Sequence, residues 1–178
     1  MPLRAARPTA ETDGVSEGPP ILDDSRFRPE SRRSVSAPGL RAFRAIADEW
    51  GLSETERIRI LGFPARSTYF NWMARLDRSR TLILGVDTLL RVSAVLGICK
   101  ALIILFPRPA DRLAWLRNPN AGPLFGGQRP IDVLSSGTQD ALMLVRRHLD
   151  AWRGGVFAPP NAADSAFEPF TDDDLVIV

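Results

Sequence analysis

The chain has 178 residues, 44% of them apolar and 25% charged, a balance that suits one globular domain or two small ones. Its one cysteine, Cys99, and one histidine, His148, exclude an internal disulfide and a His/Cys metal cage, and favour a reducing compartment. The net charge of +2 is the sum of a basic body, almost all arginine, and an acidic tail without a base. The arginine bias suits bidentate contacts to phosphate or carboxylate, and equally suits a GC-rich genome.

Residues 1–38 are rich in Pro, Gly, Ser and mixed charge without a sustained period, and the expectation is a disordered leader. Arg26, Arg28, Arg32 and Arg33 would form a basic arm on DNA or a solvated tail. No apolar leader opens the chain, and the longest apolar run, Ile98 to Phe106, is broken by Lys100 well short of a membrane span. A cytoplasmic protein away from the membrane is expected.

From Gly39 a helical period begins. Leu40, Phe43, Ile46, Ala47 and Trp50 line one face of a first helix, ended by Gly51. Ser53 and Glu56 have capping-box spacing for a second helix with Ile58 and Leu61 inward. Gly62-Phe63-Pro64 makes a turn, and a third helix buries Tyr69, Trp72, Met73 and Leu76.

That third helix would leave Arg66, Ser67, Thr68, Asn71 and Arg75 outward. Two short helices across a glycine turn, the second presenting Arg, Ser, Thr and Asn, are what a helix-turn-helix needs to read base edges in the major groove. Arg57, Arg59, Arg78 and Arg80 would grip phosphates, and the exposed Phe70 would mark a partner surface. A plain helical bundle carries similar helix–turn–helix pairs, and both readings stay open at this segment.

Asp87 to Phe106 holds more apolar residues than one stripe needs, so the helix is either the core of the bundle or part of a homodimer interface. Gly97 within it signals a close helix crossing or a break. Pro107 and Pro109 end this segment, and Asp111 to Leu116 resumes with Leu113 and Trp115.

Trp115 to Gly155 is the densest run of punctuation. Asn118-Pro119-Asn120 stops a helix, Phe125-Gly126-Gly127 sets an apolar anchor beside permissive backbone, and Pro130 suits the first turn of a short helix closed by Gly137. Thr138 is positioned to cap a last helix with Leu142, Val145, Leu149 and Trp152 on its apolar stripe. Arg146, Arg147, Asp150 and Arg153 fall largely on the other side.

In their order and spacing these motifs, from about Gly39 to Gly155, resemble Xre/MbcA/ParS-type antitoxins with their toxin-binding C-terminal domain. The resemblance implies an all-α fold in which an Xre-like helix-turn-helix within 39–106 binds the operon's own promoter. A helical domain at 107–155 would bind a RES-domain toxin, an enzyme that attacks NAD or uses it to modify a target. It implies toxin contacts at Asn118, Phe125, Gly126 and Gly127, with Arg146 and Arg147 as polar partners. For Trp115, Phe125 and Trp152, large aromatics at helical spacing, a core role is favoured over a place at the interface.

The tail, 156–178, is expected to add Asp172, Asp173, Asp174 and the terminal Val178 to the toxin contacts. Its acids would stand in for phosphate charge in a cleft built for an anionic dinucleotide, and Leu175 to Val178 would dock on apolar surface; a solubilising tail is the alternative. No residue pattern supplies a catalytic centre, a cofactor site or a phosphate loop, and the Asp172–Asp174 run lacks EF-hand spacing. His148 reads as a semi-buried structural residue and Cys99 as an inert core thiol. The expected protein is a non-enzymatic antitoxin of a type II system that acts as a homodimer or in a larger toxin–antitoxin assembly. The alternatives are a stand-alone helix-turn-helix regulator whose C-terminal half only dimerises, and a helical adaptor that has lost DNA binding.

Overall fold

The computed structural model describes residues 28–79 and 81–155. Among them the fold is all helical: α1 Pro29–Glu49, α2 Glu54–Ile60, α3 Arg66–Asp77, α4 Val86–Leu105, α5 Pro109–Arg117, α6 Pro130–Leu134 and α7 Gln139–Arg153. α4 is the central rod, with α1 on one side and α7 on another. Leu40, Phe43, Val92, Val95, Ile98, Leu102, Leu142, Val145 and Leu149 are buried in one continuous core. The apolar excess in α4 therefore marks the core of the bundle, as one of the two sequence readings held.

The first helix begins at Pro29, so the leader drawn through residue 38 is too long. Pro29 lies in the first turn, where its missing donor costs nothing. Pro38 sits inside the helix, a position that ordinarily costs about 3 kcal/mol. Tertiary contacts offset that cost. Arg32 donates to the Leu84 carbonyl at 3.1 Å and the buried Ser36 hydroxyl accepts from the Leu84 amide at 2.9 Å, which ties α1 to the segment entering α4.

α4 is also long and apolar enough, by composition, to cross a bilayer, although its longest unbroken apolar run is short. Here half of that apolar stretch is buried inside the molecule, the environment of a core helix. Gly97 is the close crossing and not a break: α4 runs through it unbroken, and the Arg146 side chain of α7 fills the space where a Cβ would be.

Local signals elsewhere behave as read. Ser53 caps α2 in a complete capping box with Glu56. Burial alone would raise the Glu56 pKa, but the bonds from the Ser53 hydroxyl and amide outweigh it and hold the carboxyl below its usual value. Thr138 accepts from the Ala141 amide at 3.1 Å and starts α7. At the end of α2, the capping Leu61 is buried as expected, Ile58 is half-buried, and Ile60 provides the additional buried contact.

Candidate DNA-reading helix and toxin-binding domain

α2 and α3 meet across a turn in which Gly62 has φ +92° and Phe63 φ +56°. α3 buries Tyr69 and Leu76 and half-buries Trp72 and Met73. Arg66, Ser67, Asn71 and Arg75 are exposed and Thr68 is half-buried, so the structure brings the predicted reading residues to the outer side of one helix. Two of them are already engaged. Arg66 pairs with Glu54 at 2.7 Å and lies over the exposed Phe70 ring, and Arg75 donates to the Thr81 carbonyl at 2.6 and 3.0 Å. Reading DNA would require Arg66 to exchange a carboxylate for a phosphate or guanine, while Asn71 already points into solvent.

Of the four arginines expected on phosphates, Arg59 and Arg78 are exposed and Arg80 lies outside the described residues. Arg57 does other work. It is half-buried, pairs with Asp48 of α1 at 2.8 Å and donates to the Leu52 carbonyl at 2.9 Å, a strap between α2 and α1. Arg44 of α1 reaches Asp77 of α3 at 2.6 Å and helps fix the angle of the third helix.

The C-terminal region is built around the loop from Asn120 to Gln128. Its ends are bridged by Asn120 N–H to Gln128 O at 3.1 Å and Gly127 N–H to Asn120 O at 2.8 Å, and the Asn120 side chain accepts from the Gly122 amide at 2.9 Å. Gly126 and Gly127 have φ +54° and +86° with open space where a Cβ would sit, so glycine is required there by conformation. Asn118 is the exposed cap of α5. The residue that closes the loop is Asn120 and not the expected Asn118; its place directly after Pro119 is the signal for it in the sequence.

Phe125 is not a surface contact. It is 2% exposed and lies edge-on to Trp115 and His148, with ring centroids at 5.7 and 5.4 Å. The loop carries that ring into the core. Trp152, expected on the buried stripe of α7, is instead 37% exposed and meets Phe106 and His148 at the end of the same aromatic row. Burial of the ring pushes the His148 pKa down.

Arg146 and Arg147 separate in the same way. Arg146 folds across Gly97 and towards the Ser93 carbonyl, with Asp150 at 3.5 Å. Arg147 is exposed, its nearest carboxylate, Asp140, 3.7 Å away, and is the arginine of the pair that is presented outward. Asp172, Asp173, Asp174 and Val178 lie outside the described residues. Burial also raises the Cys99 thiol pKa, which leaves it in its less nucleophilic form. Among the described residues no three of His, Cys, Asp and Glu gather as a metal site.

The two halves form one packed unit. Arg112 of α5 reaches Glu49 of α1 at 3.2 Å, and Arg117 donates to the carbonyls of Trp50 and Gly51 at the end of α1.

Comparison with known proteins divides the chain within α4. Residues 30–97 match the antitoxin Xre-like helix-turn-helix domain and residues 101–155 the antitoxin Xre/MbcA/ParS C-terminal toxin-binding domain. The chain is also 37% identical over 144 residues to the protein named "Uncharacterized protein y4oB" of Sinorhizobium fredii, a match covering 81% of this chain and 99% of that protein. With an exposed α3 on one half and the Asn120–Gln128 loop and α7 on the other, the chain belongs to the Xre/MbcA/ParS-type antitoxins, pairing a helix-turn-helix domain with a toxin-binding domain.

Proposed function

We propose that the chain neutralises an NAD-consuming or NAD-dependent RES-domain toxin by binding it, and represses its own operon through α3. It acts by binding and not by catalysis, in the cytoplasm, and as a homodimer or higher toxin–antitoxin assembly, because one reading helix covers too few base pairs for useful specificity. The observation that carries the reading is that both family domains are present and packed on one another. Arg147 and the exposed rim of the Asn120–Gln128 loop are the toxin contacts this arrangement favours, and Asn71 leads the DNA contacts. Residues 170–178 lie along the toxin's cleft, where their acids complement a surface made for an anionic dinucleotide.

The test is to express the adjacent open reading frame with and without this chain and to follow cellular NAD and growth. Collapse of NAD with the neighbour alone, and recovery with the pair, is the expected result. A neighbour that leaves NAD and growth unchanged overturns the RES assignment and favours a stand-alone regulator. A tail deletion that leaves toxin affinity unchanged removes 170–178 from the interface.

A further inference from the structure

Arg91 is the buried charged residue among those described, and neither DNA reading nor toxin binding uses it directly. It projects from α4 between the two halves of the molecule. Its Nε donates to Asp87 at 2.7 Å, and its Nη1 donates to the Gly137 carbonyl at 2.8 Å, in the corner between α6 and α7. The same side chain lies against the α2–α3 turn: a Cβ on Gly62 would come within 2.8 Å of both Arg91 Nε and the Asp87 carboxylate.

The opposite wall closes the arrangement. A Cβ on Gly137 would come within 2.6 Å of the Phe63 ring and 3.0 Å of the Arg59 carbonyl. The turn that aims the reading helix is therefore held against Arg91 at Gly62 and against the α6–α7 corner at Phe63. Both glycines have positive φ, +92° and +87°, so conformation and space each exclude a side chain there.

We infer that Arg91 is a positioning residue for the DNA-reading helix: by hydrogen-bonding the Gly137 carbonyl while packing against the Gly62–Phe63 turn, it makes the α6–α7 corner of the toxin-binding domain the seat on which α3 is aimed. The guanidinium is bonded to the Gly137 carbonyl and packed against Gly62, so it holds the turn in place only while corner and turn keep their spacing. Loss of the strut leaves the Gly137 carbonyl without this donor and frees the turn, without removing any group that touches DNA. The DNA consequence rests on the proposed reading by α3; the mechanical consequence does not.

The experiment is hydrogen exchange on the full chain, wild type against Arg91→Met, followed by operator binding. Exchange in 62–69 and 137–142 should rise together by about tenfold, while the cores of α1, α4 and α7 keep their protection. Arg91→Lys retains the buried charge and the pair with Asp87, but one ammonium does not span both partners. It should show the same two-segment pattern at smaller amplitude, and serves if the methionine variant does not fold. Asp87→Asn, changed at a carboxylate that is largely exposed, should leave the pattern near wild type.

Unchanged exchange at 62–69, or a uniform rise through the whole chain, overturns the inference. On operator DNA, Arg91→Met should bind about tenfold more weakly with an unchanged salt slope, since no phosphate contact has been lost. A reduced salt slope would make Arg91 a phosphate ligand and overturn its positioning role. If the two-segment pattern appears but wild type binds no DNA, the reading by α3 fails and the strut stands.

Discussion

Arg146 lies across Gly97: a Cβ on that glycine would come within 2.7 Å of the guanidinium carbon. An arginine expected to face a toxin thus roofs the crossing of α4 and α7. Gly97→Ala should change stability by no more than about 1 kcal/mol, because the gain in helix propensity is offset by displacing a side chain that is free to swing away. Gly97→Leu has no such escape and should cost about 1–3 kcal/mol by overpacking the crossing. Denaturant midpoints of the two variants separate these outcomes, and a large loss in the alanine variant would mean that backbone, and not the arginine, occupies the space.

Phe125 and Trp152 should part company on truncation. Phe125 is buried, so Phe125→Ala should cost about 3–5 kcal/mol. Its effect on toxin binding should vanish once corrected for the fraction folded. Trp152 is partly exposed at the end of the aromatic row, so Trp152→Ala should cost about 1 kcal/mol while lowering toxin affinity directly. Urea titrations alongside binding to the toxin check both.

Most of the fold was legible because it is written in local chemistry. The Ser53–Glu56 box, Pro130 at a helix start and Thr138 as a cap each act within a few residues, and sequence spacing reports them directly. What was not legible depends on partners distant in the chain. Nothing near Ser36 announces that its hydroxyl will meet Leu84, so the start of α1 was set too late. Nothing near Arg57 or Arg146 shows that one will strap α1 and the other cover Gly97. The candidate reading residues on α3 were legible as a face, since helical period alone decides it, whereas the salt bridge that already occupies Arg66 was not.

Acid should loosen the C-terminal domain through His148. Burial holds its pKa below the ordinary histidine value of 6.5, so the unfolded chain binds the proton more tightly than the folded one. Its contribution is fully present above the unfolded value and is lost as pH falls through that value towards the lowered folded one. The melting temperature should therefore drop as pH falls below the ordinary histidine value of 6.5, and His148→Gln should flatten that part of the profile. A histidine variant with the wild-type slope would assign the acid loss to other groups.

If α3 reads DNA, Asn71 and Arg59 should fail in different ways. Asn71 is exposed on the outer side of α3, and an asparagine there suits bidentate contact with adenine. Asn71→Ala should cost about 1–3 kcal/mol on the operator and little on unrelated DNA, with the salt slope unchanged. Arg59 is exposed on α2, the helix that lies against the backbone in this kind of docking. Arg59→Ala should weaken operator and unrelated DNA alike and reduce the salt slope by about one. Titrations of both variants on both DNAs across a salt series read specificity and charge separately. Equal losses on the two DNAs for Asn71→Ala would remove α3 from the major groove, and an unchanged slope for Arg59→Ala would remove α2 from the phosphates.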